Sequence, residues 1–82
     1  MEIKVLGPGC ANCKRLYQEA EKAVAQVGQP ATITKVEAME DIMADGILRT
    51  PGLVIDGKVV ASGRIPSASE IATLITTALA RA

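Results

Sequence analysis

Cys10 and Cys13 are the only cysteines in the chain, separated by Ala11 and Asn12. Side chains three apart on a helix are neighbours, near the Cβ separation of about 3.8 Å that a disulfide needs. An apolar run precedes the pair and a helical pattern follows it, so Cys10 is expected at the tip of a helix. There the unpaired N–H groups and the helix dipole favour an anion. The thiolate is that anion, and it is the nucleophilic form of cysteine. An ordinary thiol is about 3% ionised at pH 7. A helix terminus worth up to ~2 kcal/mol brings that share close to half, near the optimum for a thiol that attacks disulfides. With no histidine in the chain, the helix terminus must supply the activation. The pattern points to dithiol–disulfide exchange.

Two other readings compete for the same residues. A structural bridge is the plainer one, but closing so short a loop is worth only about 2 kcal/mol. Metal binding is the stronger rival. Two thiolates suit Cu(I), a soft ion, which would make the protein a Cu(I)-binding metallochaperone. A structural zinc site needs about four ligands, and the chain offers two cysteines and no histidine.

The elements around the pair follow from periodicity. Glu2 to Leu6 alternates polar and apolar residues as a strand does, and Gly7-Pro8-Gly9 breaks it. Over Ala11 to Val27, residues Cys13, Leu16, Tyr17, Ala20, Ala23, Val24 and Val27 recur at helical spacing. Cys13 belongs to that buried stripe and Cys10 does not, so one thiol should face solvent and the other be sheltered. Tyr17 is expected on the core face. Gly28-Gln29-Pro30 stops the helix, and Ala31 to Val36, rich in β-branched residues, reads as a second strand. A strand, a long helix and a strand imply a right-handed crossover with parallel pairing.

Met39 to Asp45 is a short helical candidate, with Met39, Ile42 and Met43 on one face and Gly46 at its end. The two methionines read as core filler. Leu53 to Ile55 and Lys58 to Ala61 flank Asp56-Gly57, a strong signal for a tight antiparallel hairpin. Ser67 and Glu70 form a capping box ahead of a last helix whose apolar face is Ile71, Leu74, Ile75 and Ala78. The order is βαβαββα, an α/β arrangement with a four-stranded mixed sheet and helices on both faces.

That order, with CxxC after the first strand and Thr50-Pro51 before the hairpin, resembles the thioredoxin-like fold. More closely, the chain resembles the small thioredoxin-like proteins known as redox-active disulfide proteins. The resemblance covers nearly the whole chain and is carried by GPGCANC (Gly7 to Cys13), TPGLVIDGKVV (Thr50 to Val60), Gly63 and the capped last helix. It implies a thioredoxin/glutaredoxin-like protein disulfide oxidoreductase, with Cys10 as the attacking cysteine and Cys13 as the resolving one. It implies that Pro51 is a cis-proline beside the disulfide, that Thr50 offers backbone groups to an extended substrate segment, and that Gly63 leaves room for it. The partners it implies are a disulfide-containing protein or small thiol, and a reductase or thiol pool as electron donor. No cofactor is expected beyond the Cys10–Cys13 disulfide itself, and no metal.

Three positions depart from thioredoxins: Gly9 replaces a tryptophan, Ala11-Asn12 replaces Gly-Pro, and Lys4 stands where a buried acid helps move protons. The GPGCANC segment is also similar to the GMTCxxC loop of heavy-metal-associated domains. There Pro8 replaces the methionine, and those domains end in a strand rather than a capped helix. A third class is a non-catalytic adaptor on the same scaffold, switched by oxidation.

Composition narrows the setting. Eighty-two residues suit one domain spanning residues 1–82. Hydrophobic residues make up 49% and charged residues 22%, within the range of globular proteins. Nine basic residues balance nine acidic ones and Tyr17 is the lone aromatic, so nucleic-acid binding is not expected. Lys14 and Arg15, one turn beyond Cys10, read as surface charges. No apolar stretch approaches the roughly 20 residues of a membrane span. The N-terminus has no long apolar segment of the secretory kind, so the expected location is cytoplasmic, where a lone cysteine pair is more often catalytic or metal-binding than structural.

Overall fold

Strand β1 spans Glu2–Leu6 and lies inside the sheet, which explains its apolar content. The computed structural model describes residues 1–44 and 49–80, without the side chains at 39, 40 and 42. Helix α1 covers Ala11–Val27 and strand β2 Thr32–Val36; helix α2, Met39–Ala44, follows. Strands β3 (Gly52–Ile55) and β4 (Lys58–Ser62) and helix α3 (Ala68–Ala80) complete the chain. The sheet order is β2-β1-β3-β4. β1 pairs in parallel with β2, from Glu2↔Thr32 to Leu6↔Val36, and antiparallel with β3, from Ile3↔Ile55 to Leu6↔Gly52.

The Asp56-Gly57 hairpin forms as the sequence predicts, with φ of 48° and 84° at the two turn residues, the positive values a two-residue hairpin turn requires. Between Leu53↔Ala61 and Val54↔Val59 the ladder shifts register, so Val60 is an extra residue on β4. β3 lies between β1 and β4, and all four of its residues are buried. An interior strand buried on both faces reads as a continuous apolar run, and Leu53-Val54-Ile55 is one.

Alternation divides the interior. Ile3, Val5, Leu53 and Ile55 form the main core with Leu16, Ala20 and Ala23 of α1 and Ile71 and Ile75 of α3. Leu6 and Val54 form a smaller cluster on the other face, flanked by Val36 and Val59. The small Ala20 and Ala23, both fully buried, let α1 come close to its neighbours. Gly28 ends α1 by donating its N–H to the Val24 carbonyl at 3.0 Å.

Two local expectations change. Met43 does not fill the core; it is 65% exposed. The expected end of α2 at Asp45 and Gly46, and the side chains of Met39 and Ile42 on which its apolar face depends, lie outside the described residues. The capping box forms in one direction: the Glu70 N–H donates to Ser67 Oγ at 3.2 Å, while the Glu70 carboxylate accepts from Arg64 instead.

Candidate active site

Gly7-Pro8-Gly9 turns the chain from β1 into α1, with the Gly7 N–H donating to the Val36 carbonyl at 2.9 Å. Cys10 is the N-cap residue of α1, with extended backbone at φ −69° and ψ 165°. Its carbonyl accepts the Lys14 N–H at 3.1 Å, and its sulfur accepts the Cys13 N–H at 3.2 Å. A side chain that accepts from N3 satisfies one of the orphan donors of the first turn. Cys10 and Cys13 are joined in a disulfide with their Cα atoms 5.0 Å apart. Cys10 is exposed and Cys13 is buried, 5% exposed, as the stripe pattern predicts.

The second half of the site arrives from β3 and β4. The Thr50–Pro51 bond is cis, the one cis peptide among the described residues. Pro51 is buried and Thr50 exposed. Gly7 stands between Cys13 and Pro51: a Cβ there would run into the Cys13 sulfur and lie 3.9 Å from the Pro51 Cα. The Gly63 N–H donates to the Pro51 carbonyl at 2.9 Å. Gly63 has φ of 74°, and a Cβ on it would sit 3.0 Å from the Cβ of Arg49. The structure thus brings Cys10, Cys13, Thr50, Pro51 and Gly63 into one region, with Gly7 as the link.

Lys4 lies 3.9 Å from Glu2 in an ion pair, and alternation along β1 sets both on the face opposite Ile3 and Val5. Charged groups reach Cys13 from another direction. A cleft of about 40 Å³ is lined by Val5, Gly7, Gly9, Cys13, Lys14, Lys35 and Glu37. The Glu37 carboxylate lies against Gly9, with Oε2 3.6 Å from the position of a Cβ there. The Lys35 ammonium rests 4.7 Å from the centroid of the Tyr17 ring, a cation–π arrangement. Sequence reasoning missed Lys35 and Glu37 and set Lys14 aside. Lys35 pairs across from Val5 and Glu37 follows the end of β2, a placement set by strand register that leaves no local signal in the sequence.

The two sulfurs are the donors a soft metal ion would meet once the disulfide is reduced. Among the described residues no three Cys, His, Asp or Glu side chains gather as a larger ligand set. Among them, too, no helix is long and apolar enough to cross a membrane.

Residues 1–76 match the family model described as the Thioredoxin domain. A protein named thioredoxin from Methanothermobacter thermautotrophicus is 37% identical over 75 residues, covering 92% of this chain and 97% of that protein. Another of the same name, from Methanocaldococcus jannaschii, is 39% identical over 69 residues, covering 84% of this chain and 79% of that one. With its cysteine pair at the tip of α1 and a cis-proline beside it, the chain belongs to the thioredoxin family.

Proposed function

We propose that this chain is a thiol–disulfide oxidoreductase in which Cys10 attacks a disulfide of a protein or small-thiol partner and Cys13 resolves the product. The observation that carries this reading is the asymmetry of the pair. Cys10 is exposed at the N-cap of α1, and Cys13 lies 5% exposed one turn inward, already bonded to it. In the reduced protein the Cys13 N–H and the helix terminus stabilise a Cys10 thiolate. That thiolate attacks one sulfur of the partner disulfide; its far sulfur leaves as a thiolate and takes a proton from water. Cys13 then attacks Cys10, frees the second partner sulfur and leaves the internal disulfide. Two electrons pass from the dithiol to the partner.

Pro51 is buried and its carbonyl accepts the Gly63 N–H, while Thr50 before it is exposed. An extended partner segment runs beside Thr50 and Pro51. A reductase or a thiol pool of the cytoplasm restores the dithiol. The disulfide itself is the redox group, and neither a metal nor an organic cofactor enters the cycle.

The test is a titration in glutathione redox buffers with alkylation trapping and mass readout. One reversible internal disulfide, with Cys10 alkylating first and at depressed pH, is the expected result. Cys10→Ser abolishes turnover and Cys13→Ser accumulates the mixed disulfide at Cys10. Two sluggish thiols with no measurable equilibrium would overturn the reading.

A further inference from the structure

We propose that Arg49 selects the partner: its guanidinium binds a carboxylate carried by the partner beside Thr50 and Pro51, so the protein favours acidic disulfides. The inference rests on the dithiol cycle proposed above. Arg49 is exposed and stands just before Thr50 and the cis-proline. Its stem is held against β4. Arg49 Cβ, Cγ and Cδ lie 3.0, 3.7 and 3.1 Å from where a Cβ on Gly63 would stand, so the stem runs along the Gly63 backbone. The Arg49 carbonyl accepts the Ser62 hydroxyl at 3.0 Å. The opening that a bare glycine leaves at Gly63 is thus filled by a stem of the chain's own. What a partner passing Thr50 meets there is an arginine.

Charge pairing sets Arg49 apart from its neighbour. Arg64, just past Gly63, is committed to Glu70. Arg49 has no carboxylate partner among the described residues. Glu37 lies against Gly9 at the end of β2, and β1 separates that strand from β3. A guanidinium is a planar fork that takes a carboxylate through two parallel N–H···O bonds. Holding the stem in advance reduces the side-chain freedom lost when such a pair forms. The net charge of the chain is zero, so a preference for acidic partners has to come from charge placed at the site.

Arg49 lies two residues before Pro51, and alternate side chains of an extended segment share a face. The carboxylate it takes therefore sits about two positions from the reacting cysteine of a partner segment. Arg49 holds the partner and leaves the sulfur chemistry as written above. Its effect falls on KM rather than on kcat.

The experiment compares matched disulfides as oxidants of the reduced protein, followed by alkylation and mass readout. One pair is a disulfide-linked peptide with glutamates two positions from its cysteine, and the same peptide with glutamines there. The other pair is dithiodiglycolate and its neutral diamide. Each protein is scored by its ratio of acidic to neutral rates, so intrinsic differences between the disulfides cancel when proteins are compared. Arg49→Gln keeps a carbon stem of the same length as far as Cδ. It is expected to lower the ratio about fivefold at low ionic strength, through KM, and the difference closes with added salt. Arg49→Lys keeps the charge without the fork and recovers part of the ratio. Lys58→Gln, at the far end of β4 from Gly63, removes the same charge and keeps the wild-type ratio. A fall confined to the peptides identifies a protein segment as the source of the carboxylate, and a fall confined to the small pair identifies a small acidic thiol; either sustains the inference. An unaltered ratio in Arg49→Gln with both pairs would overturn it. So would an equal fall in Lys58→Gln, or an Arg49→Lys ratio as low as that of Arg49→Gln. A wild-type protein that reduces none of these disulfides sinks the dithiol cycle itself, a different outcome from an unaltered ratio.

Discussion

Gly7 is packed between Cys13 and Pro51 so tightly that any Cβ on it would overlap the Cys13 sulfur. The Cβ of Cys13 would stand 3.1 Å away. Cys13 is buried and tied to Cys10, so its sulfur has little freedom to retreat. Gly7→Ala therefore overpacks the site and is expected to lower unfolding free energy by about 1–3 kcal/mol. Urea unfolding of the oxidised protein measures it. An unchanged midpoint would mean that α1 shifts outward at no cost.

Gly63 is constrained twice over. Its φ of 74° lies where side chains are rarely found, and the Cβ of Arg49 occupies the space a methyl group would need. A non-glycine residue in that backbone region costs about 1–3 kcal/mol. The neighbour here is the stem of Arg49, close to the backbone, so it cannot swing clear as a chain end would. Gly63→Ala is expected to lose at least about 1 kcal/mol and to weaken the Gly63 bond to the Pro51 carbonyl. Faster amide hydrogen exchange at Gly63, measured beside the unfolding midpoint, would locate the damage.

What was legible in the sequence was what local spacing encodes. Cys13, Leu16, Ala20 and Ala23 repeat at helical intervals, and all four are buried on α1. Asp56-Gly57 demands positive φ, and both residues have it. The missing pieces depend on neighbours distant in the chain. Gly52 joins β3 because it pairs with Leu6 and Ser62, which its own propensity does not suggest. Lys35, and Glu37 just past β2, come to the cleft beside Cys13 only because β2 pairs on β1. Glu70 was assigned to the capping box by spacing, but an Arg64 six residues earlier competes for its carboxylate. Charge pairing of that kind leaves no periodic trace.

Asp56 ties the hairpin tip to the start of β1 by two bonds. Its N–H donates to the Glu2 carbonyl and its Oδ1 accepts the Glu2 N–H, both at 2.8 Å. It also holds φ of 48°, which Asp and Asn tolerate better than other side chains. Asp56→Ala loses the acceptor and adds backbone strain, for an expected cost of about 1–2 kcal/mol. Asp56→Asn keeps an oxygen in place and should cost less than half as much. Equal losses from the two substitutions, measured by urea unfolding, would mean that the charge rather than the bond matters.

Arg64 Nη2 donates to Glu70 Oε2 at 2.5 Å, between side chains 51% and 43% exposed. That hydrogen bond holds the Glu70 carboxyl below its ordinary range, with desolvation opposing it and the Arg64 charge adding to it. The same bond raises the Arg64 guanidinium, which stays charged throughout. A carboxyl depressed in the folded state contributes stability above its unfolded range, lost as pH falls through the folded value. Both groups are open to solvent, so the contribution is small and shrinks with added salt. The sharper readout is the Glu70 carboxyl itself, followed by carbon-13 NMR. Its midpoint should lie below that of an ordinary glutamate, and Arg64→Ala should move it upward. Freed from Arg64, the carboxylate can turn back to the Ser67 N–H and complete the capping box, which would keep part of the depression in the variant. A full return to the ordinary range would show that Ser67 holds α3 alone.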